Sequence, residues 1–287
     1  MEVQGKNCAN RETVTSNKRR HFVNKKMFGL FKSDKPKLPV DDEQRKWLEH
    51  AFMYLLHQFD HDKIVTRKVM TPTKECFNYT FNGDKKEILA LSDQIAKIME
   101  IDPNEIQIEF FESGMEGFYT NTGDVLFMGQ EEDVQNPGGQ YFDKTGDGKY
   151  LIALADNLHK DPDNLVATIA HEFSHIKLLG EKRLDFNDEY LTDVVPLMFG
   201  LGIFNANTCF KFKTTHQSWG HSKSGYLSQM DWGYLLALYS FMRHEDEPNW
   251  LQYLSREIQN DFSVSIKFIL DNESLIFAHL KNDDENS

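Results

Sequence analysis

The segment from Asp161 to Gly180 constrains the fold more strongly than any other part of the chain. Asp161 is a residue type that caps helix N-termini, and Pro162 suits the first helical position, where its missing N–H costs nothing. Apolar residues recur at helical spacing through the segment, at Leu165, Ile169, Phe173 and Ile176. Gly180 is a residue type that commonly ends a helix. The sequence therefore predicts one amphipathic helix between these two ends.

Two histidines lie four residues apart on this predicted helix. Residues at that spacing leave the same helix face one turn apart, so His171 and His175 can bind one zinc ion at roughly 2.0–2.1 Å. Glu172 lies next to the first histidine, where its carboxylate can take a proton from a water molecule at the metal. The pattern predicts one bound Zn²⁺, with Glu172 as a general base.

A catalytic zinc site also needs a third protein ligand and an open fourth position. The segment Glu189-Tyr190-Leu191-Thr192-Asp193 follows His175 on a second predicted helix. Its two carboxylates share a helix face that leads into the apolar pair Val194-Val195, where unpaired charges would be costly to bury. A metal ion and a histidine N–H would satisfy both carboxylates.

The motif His171-Glu172-Phe173-Ser174-His175, followed by Glu189 and Asp193 at this spacing, resembles the gluzincin metallopeptidases, the thermolysin-like group. The resemblance covers roughly residues 165–195. It implies Glu189 as the third zinc ligand. It also implies that Asp193 accepts a hydrogen bond from a ligand histidine and fixes its tautomer.

The segment from 216 to 226 is rich in donors that could stabilise an oxyanion. Gluzincins often use a His or Tyr from this side of the cleft, so the resemblance favours His221 and Tyr226. Alternatives for the third zinc ligand also remain open. Asp193 could bind the metal itself, or His216 or His221 could fold back to do so.

The rest of the pattern predicts an α+β fold, with strands preceding a helix-rich part. Strands are predicted at 106–110, 124–128, 140–142 and 149–154, with a hairpin turn at 143–148. Other helices are predicted at 42–59, 85–100, 187–196, 228–243 and 249–271. We expect a zincin-like arrangement, a small mixed sheet packed on the active-site helix and followed by a helical C-terminal part. Residues 149–154 are expected to form the edge strand above that helix, where an extended peptide could pair.

Charge divides the chain into a basic start and an acidic remainder. Residues 1–26 carry seven Lys or Arg and two Glu, a net charge of +5, whereas the whole chain carries −13. We interpret residues 1–40 as a basic disordered arm, with Met27 as an alternative translation start. Residues 41–280 are interpreted as a single zincin-like catalytic domain and 281–287 as an acidic tail. The acidic total argues against a general affinity for nucleic acid or membrane.

The cysteines and the apolar runs indicate the cytoplasm. Cys8, Cys76 and Cys209 are odd in number and far apart, which excludes a disulfide framework and a Cys-based zinc site. No signal peptide is recognisable. The longest apolar run, residues 194–204, is too short to span a bilayer.

These observations predict a zinc-dependent hydrolase, a peptidase acting on a peptide or protein substrate. The alternative is a catalytically silent, zinc-stabilised binding or regulatory module. Glu172 favours activity, because a purely structural zinc site has no use for that carboxylate. A third interpretation gives the basic arm the role of recruiting the enzyme to nucleic acid or membrane.

Overall fold

The chain is described by a computed structural model that covers residues 38–77, 83–112, 115–119, 125–129, 138–144, 146–209 and 227–280. The helices in these ranges are α1 (Asp42–Gln58), α2 (His61–Thr66), α3 (Lys85–Ile98), α4 (Pro162–His175), α5 (Glu189–Met198), α6 (Gly202–Thr208), α7 (Gln229–Met242) and α8 (Arg256–Asp271). The strands are β1 (Ile106–Phe111), β2 (Met115–Tyr119), β3 (Val125–Gly129), β4 (Gly139–Phe142) and β5 (Tyr150–Ala155). The predicted α+β class, with a small mixed sheet, is confirmed.

β5 is the central strand of a three-stranded sheet. It pairs in parallel with β1 and antiparallel with β4, so β4 lies at an edge. The prediction that residues 149–154 form the edge strand is therefore wrong. All of β5 is buried, as expected of a strand that is covered on both faces. The predicted antiparallel pairing across the turn at 143–148 is confirmed.

β2 and β3 form a separate antiparallel pair that packs against the three-stranded sheet. The rings of Phe111 and Phe127 stack with centroids 5.3 Å apart. The Gly117 N–H donates a hydrogen bond to Gln140 Oε1 at 2.6 Å. These contacts place the pair on the sheet face that carries the Gln140 side chain.

α4 packs against β4 and against α3, α5 and α6. Its N-terminus is the predicted one, since Asp161 accepts a hydrogen bond from Asn164 N–H and Pro162 is the first helical residue. Ile169 and Phe173 are fully buried, and burying such a side chain contributes about 1.5–3 kcal/mol. After His175 the chain continues as a single turn of π-helix over Ile176–Gly180. Turns of this kind are frequent at functional sites.

The other differences from the predicted elements have local causes. α2 and α6 are short, and α6 lies in an apolar run whose type cannot be read from periodicity. Pro196 lies inside α5, which ends two residues later. Gly200 follows with a φ of +79°, a conformation that glycine adopts without steric cost. The predicted helix at 249–271 is a 3₁₀ turn, Asn249–Tyr253, followed by α8.

No helix in the described ranges is long and apolar enough to cross a membrane. Cys76 and Cys209 are buried. Residues 1–37 of the predicted basic arm, Cys8 among them, lie outside the described residues, as does the predicted tail at 281–287.

Candidate metal centre

α4 and α5 bring three candidate metal ligands together. The rings of His171 and His175 leave α4 one turn apart, with centroids separated by 5.1 Å and planes inclined at 85°. Glu189 Oε2 lies 3.3 Å from His171 Nε2 and 3.7 Å from His175 Nε2. The three residues thus offer donor atoms that all lie within 4.8 Å of one another.

The start of α5 fixes the position of Glu189. Asp188 caps this helix by accepting a hydrogen bond from Leu191 N–H at 3.0 Å, so Glu189 is the first helical residue. Asn187 Nδ2 donates a hydrogen bond to Glu189 Oε1 at 2.7 Å. One oxygen of the carboxylate is thereby engaged, and the other lies near the two histidines.

Two of the distances between the donor atoms fit a small tetrahedral cation. Two ligand atoms bound at 2.0–2.2 Å to a tetrahedral zinc ion lie roughly 3.3–3.6 Å apart. The two distances from Glu189 to the imidazole nitrogens, 3.3 and 3.7 Å, are close to that value. Two imidazoles and one carboxylate are also a donor set typical of catalytic zinc. The residues present therefore fit the predicted metal.

Asp193 lies one helical turn after Glu189 and contacts the first histidine. Its Oδ1 is 2.9 Å from His171 Nδ1. Its Oδ2 accepts a hydrogen bond from Leu227 N–H at 3.4 Å. An Nδ1–H that is donated to Asp193 leaves the Nε2 lone pair of His171 available to a metal ion. This is the contact that the resemblance implies for Asp193.

The pKa values of the three candidate ligands are shifted by burial and by one another's charges. Burial lowers the pKa of His171, but hydrogen bonds to Asp193 and Glu189 outweigh it and raise that pKa well above its usual value. Burial and the neighbouring His171 lower the pKa of His175 to about 4. Burial raises the pKa of Glu189, yet His171 and His175 together lower it to about 2. The metal-free protein therefore holds a carboxylate beside a protonated His171, and a bound cation would replace that proton.

Glu172 lies between α4 and the edge strand β4, and only 5% of it is exposed. Burial raises the pKa of its carboxyl group to about 7, and the carboxylates of Glu189 and Asp193 act in the same direction. The positive charge of His171 and a hydrogen bond from the Tyr141 backbone N–H favour the ionised form. Glu172 is therefore a buried carboxyl group that can exchange a proton near neutral pH.

Two residues of β4 at the site were not predicted. Tyr141 stacks on His175, with ring centroids 5.6 Å apart and planes inclined at 21°. A Cβ added to Gly139 would lie 2.7 Å from Glu172 Cγ. Gly139 lies one residue before the strand predicted at 140–142 but inside the observed β4, and a glycine in a strand often marks a close backbone approach.

The candidate oxyanion donors His221 and Tyr226 lie outside the described residues, as does His216, the alternative ligand. Comparison of the chain with known protein families, with curated proteins and with solved structures finds no match. The gluzincin assignment consequently stays a prediction.

Proposed function

We propose that this chain is a zinc-dependent peptidase of the gluzincin type with a zincin-like fold. One observation carries the proposal. Two imidazoles and the Glu189 carboxylate surround one point, and the buried Glu172 carboxyl group lies beside them on α4. The helix α4 next to an antiparallel edge strand supports the proposed fold.

Zinc is proposed because the donor set matches its chemistry. Neutral imidazole and carboxylate ligands suit zinc, and three protein ligands leave a position for water. The exposed fractions of the side chains of His171 and Glu189 are 20% and 27%, so the centre can be reached from solvent. In a purely structural zinc site a fourth protein ligand would normally close the centre.

Glu172 is the proposed general base and acid. Bound zinc would lower the pKa of a water molecule and polarise the scissile carbonyl group. Glu172 accepts a proton from the attacking water and then donates it to the leaving amine. Burial raises the pKa of Glu172 to about 7 in the metal-free protein, and a bound cation would lower it and favour the carboxylate that acts as the base. In the zinc-bound protein Asp193 would accept a hydrogen bond from His171 Nδ1–H and leave Nε2 to bind the metal.

The proposed substrate is an extended peptide that pairs with the edge of β4. The Ala155 N–H donates to the Gly138 carbonyl at 2.9 Å. The alternation of an antiparallel ladder therefore directs the backbone groups of Gly139 and Tyr141 away from β5. Among the described residues no strand pairs with this outer edge. The backbone N–H and carbonyl of Gly139 on this edge would hydrogen-bond to a peptide next to Glu172.

The test combines metal analysis with a cleavage assay. Purified protein is expected to contain one zinc ion per chain and to cleave fluorescein-labelled casein or a quenched mixed-sequence peptide library. Glu172→Gln should retain zinc and lower kcat by about 10²–10⁴-fold, the usual loss for a general base. Glu247→Gln, at an exposed carboxylate far along the chain, is the matched control.

Two results would contradict the proposal. Zinc-loaded protein that cleaves neither substrate would favour the silent binding or regulatory module. Cleavage by Glu172→Gln at the wild-type rate would show that another group acts as the base.

A further inference from the structure

β4 contacts the metal centre through two alternate residues on the sheet face that meets α4. Gly139 lies against the Glu172 side chain, and the Tyr141 ring lies against His175. Successive residues of a strand point to opposite faces, so this pair shares the face towards the helix. One short edge strand therefore contacts both the proposed base and a proposed ligand.

Gly139 leaves a space that the Glu172 side chain fills. A Cβ at position 139 would lie 2.7 Å from Glu172 Cγ, 2.8 Å from Glu172 Oε1 and 2.9 Å from Thr168 Cγ2. Carbon atoms in proteins avoid such short contacts, so an alanine would displace the carboxyl group. The adjacent Gly138 differs, because its Cβ would meet Thr168 Oγ1 at 3.4 Å, an ordinary contact.

Tyr141 contacts the ring of His175, the second histidine of the centre. His171 Nδ1 is held by Asp193, whereas the buried Nδ1 of His175 has no hydrogen-bond partner among the residues that the structure describes. The stacked Tyr141 ring covers one face of His175. The backbone N–H of the same tyrosine donates to Glu172. Tyr141 thus contacts a ligand with its ring and the base with its backbone.

We propose that Gly139 and Tyr141 are positioning residues of the metal centre. Gly139 leaves the space in which the Glu172 carboxyl group lies, and Tyr141 holds the orientation of the His175 ring. The inference rests on the proposed function. The geometry behind it can nevertheless be tested in metal-free protein, where no turnover is needed.

The first experiment compares Gly139→Ala with Gly138→Ala, in the wild type and in a Glu172→Ala background. Both substitutions remove the same glycine flexibility from the unfolded chain, so Gly138→Ala measures that effect. In metal-free wild type, Gly139→Ala should lower Tm by roughly 2–8 °C relative to Gly138→Ala, the usual result of overpacking in a domain of this size. Part of that loss should be absent when Glu172 is alanine, because the two contacts with Glu172 are removed while the contact with Thr168 Cγ2 stays. An equal loss in both backgrounds would overturn the assignment of Gly139.

The second part of the experiment measures function where the zinc-loaded enzyme is active. Gly139→Ala should leave zinc affinity unchanged and lower kcat by about 10²-fold, because a displacement of about 1 Å can cost that much. A loss of zinc affinity with unchanged kcat would contradict the role assigned to Gly139. If the wild type is inactive, the proposed function fails. The Tm comparison would still decide whether Gly139 leaves the space in which the Glu172 side chain lies.

The third part measures zinc affinity for two Tyr141 variants by competition with a chromophoric chelator. Tyr141→Leu keeps the backbone N–H but removes the ring, and should weaken zinc binding roughly tenfold, as loss of a ligand-orienting contact does. Tyr141→Phe keeps the ring and should restore most of that affinity. Equal affinities for the leucine variant and the wild type would overturn the assignment of Tyr141.

Discussion

Glu172→Gln tests the buried carboxyl group through its effect on stability, without any substrate. Burial raises the pKa of Glu172 from 4.5 to about 7 in the folded protein. Between these values the unfolded chain releases its proton while the folded chain retains it, so the folded state loses stability as pH rises. Glutamine does not titrate, and it can still accept the hydrogen bond from Tyr141 N–H. The variant should therefore escape this loss.

The size of the effect follows from the pKa change. One pKa unit corresponds to about 1.4 kcal/mol, so a rise from 4.5 to about 7 corresponds to roughly 3 kcal/mol at high pH. Most of it should develop between pH 5 and pH 8. Metal-free Glu172→Gln is thus expected to gain about 2–3 kcal/mol of unfolding free energy relative to wild type over this interval.

Urea unfolding of the metal-free proteins at pH 5 and pH 8 measures this gain. Glu247→Gln removes an exposed carboxylate and is the control for a change of charge alone. Equal pH dependence for wild type and Glu172→Gln would refute the reasoning. It would mean that the Glu172 carboxyl group is solvated in the folded protein, and its proposed role would lose its physical basis.

Three further predictions concern the ligands. Asp193→Ala removes the acceptor of His171 Nδ1–H and should weaken zinc binding about 10–100-fold in a chelator competition assay. Glu189→Ala should lose zinc on dialysis, whereas Asp185→Ala, which removes an exposed carboxylate nearby, should retain it. Retention of zinc by both variants would indicate Asp193 as the third ligand instead. Zinc binding near pH 6.5 should release about one to two protons, from His171 and in part from Glu172, whose pKa is about 7 in the metal-free protein, and affinity should rise with pH. Calorimetry in buffers of different ionisation enthalpy measures the proton release, and no release would contradict the His171 assignment.

The parts of the site that depend on helical spacing were predictable from sequence. His171 and His175 share a helix face because of their four-residue spacing, and the cap at Asp161 fixes where that helix begins. The structure also brings Glu189 and Asp193 to these histidines, as the resemblance implies. Such local rules are properties of one segment and need no knowledge of the rest of the fold.

The contributions of β4 depend on pairing between distant segments and were not predicted. The prediction places residues 149–154 at the edge, although the uninterrupted apolar run at 150–155 is typical of a central strand. Gly139 and Tyr141 acquire their roles only because β4 lies beside α4. No periodicity within a four-residue strand contains that information.

The central claim is that His171, His175 and Glu189 hold one zinc ion. A crystal structure of the zinc-loaded protein, with diffraction data collected above and below the zinc absorption edge, tests it most directly. We predict one anomalous peak at about 2.0–2.2 Å from Nε2 of each histidine and from a Glu189 oxygen. A zinc ion bound instead by Asp193, His216 or His221, or no zinc at these histidines, would contradict the account.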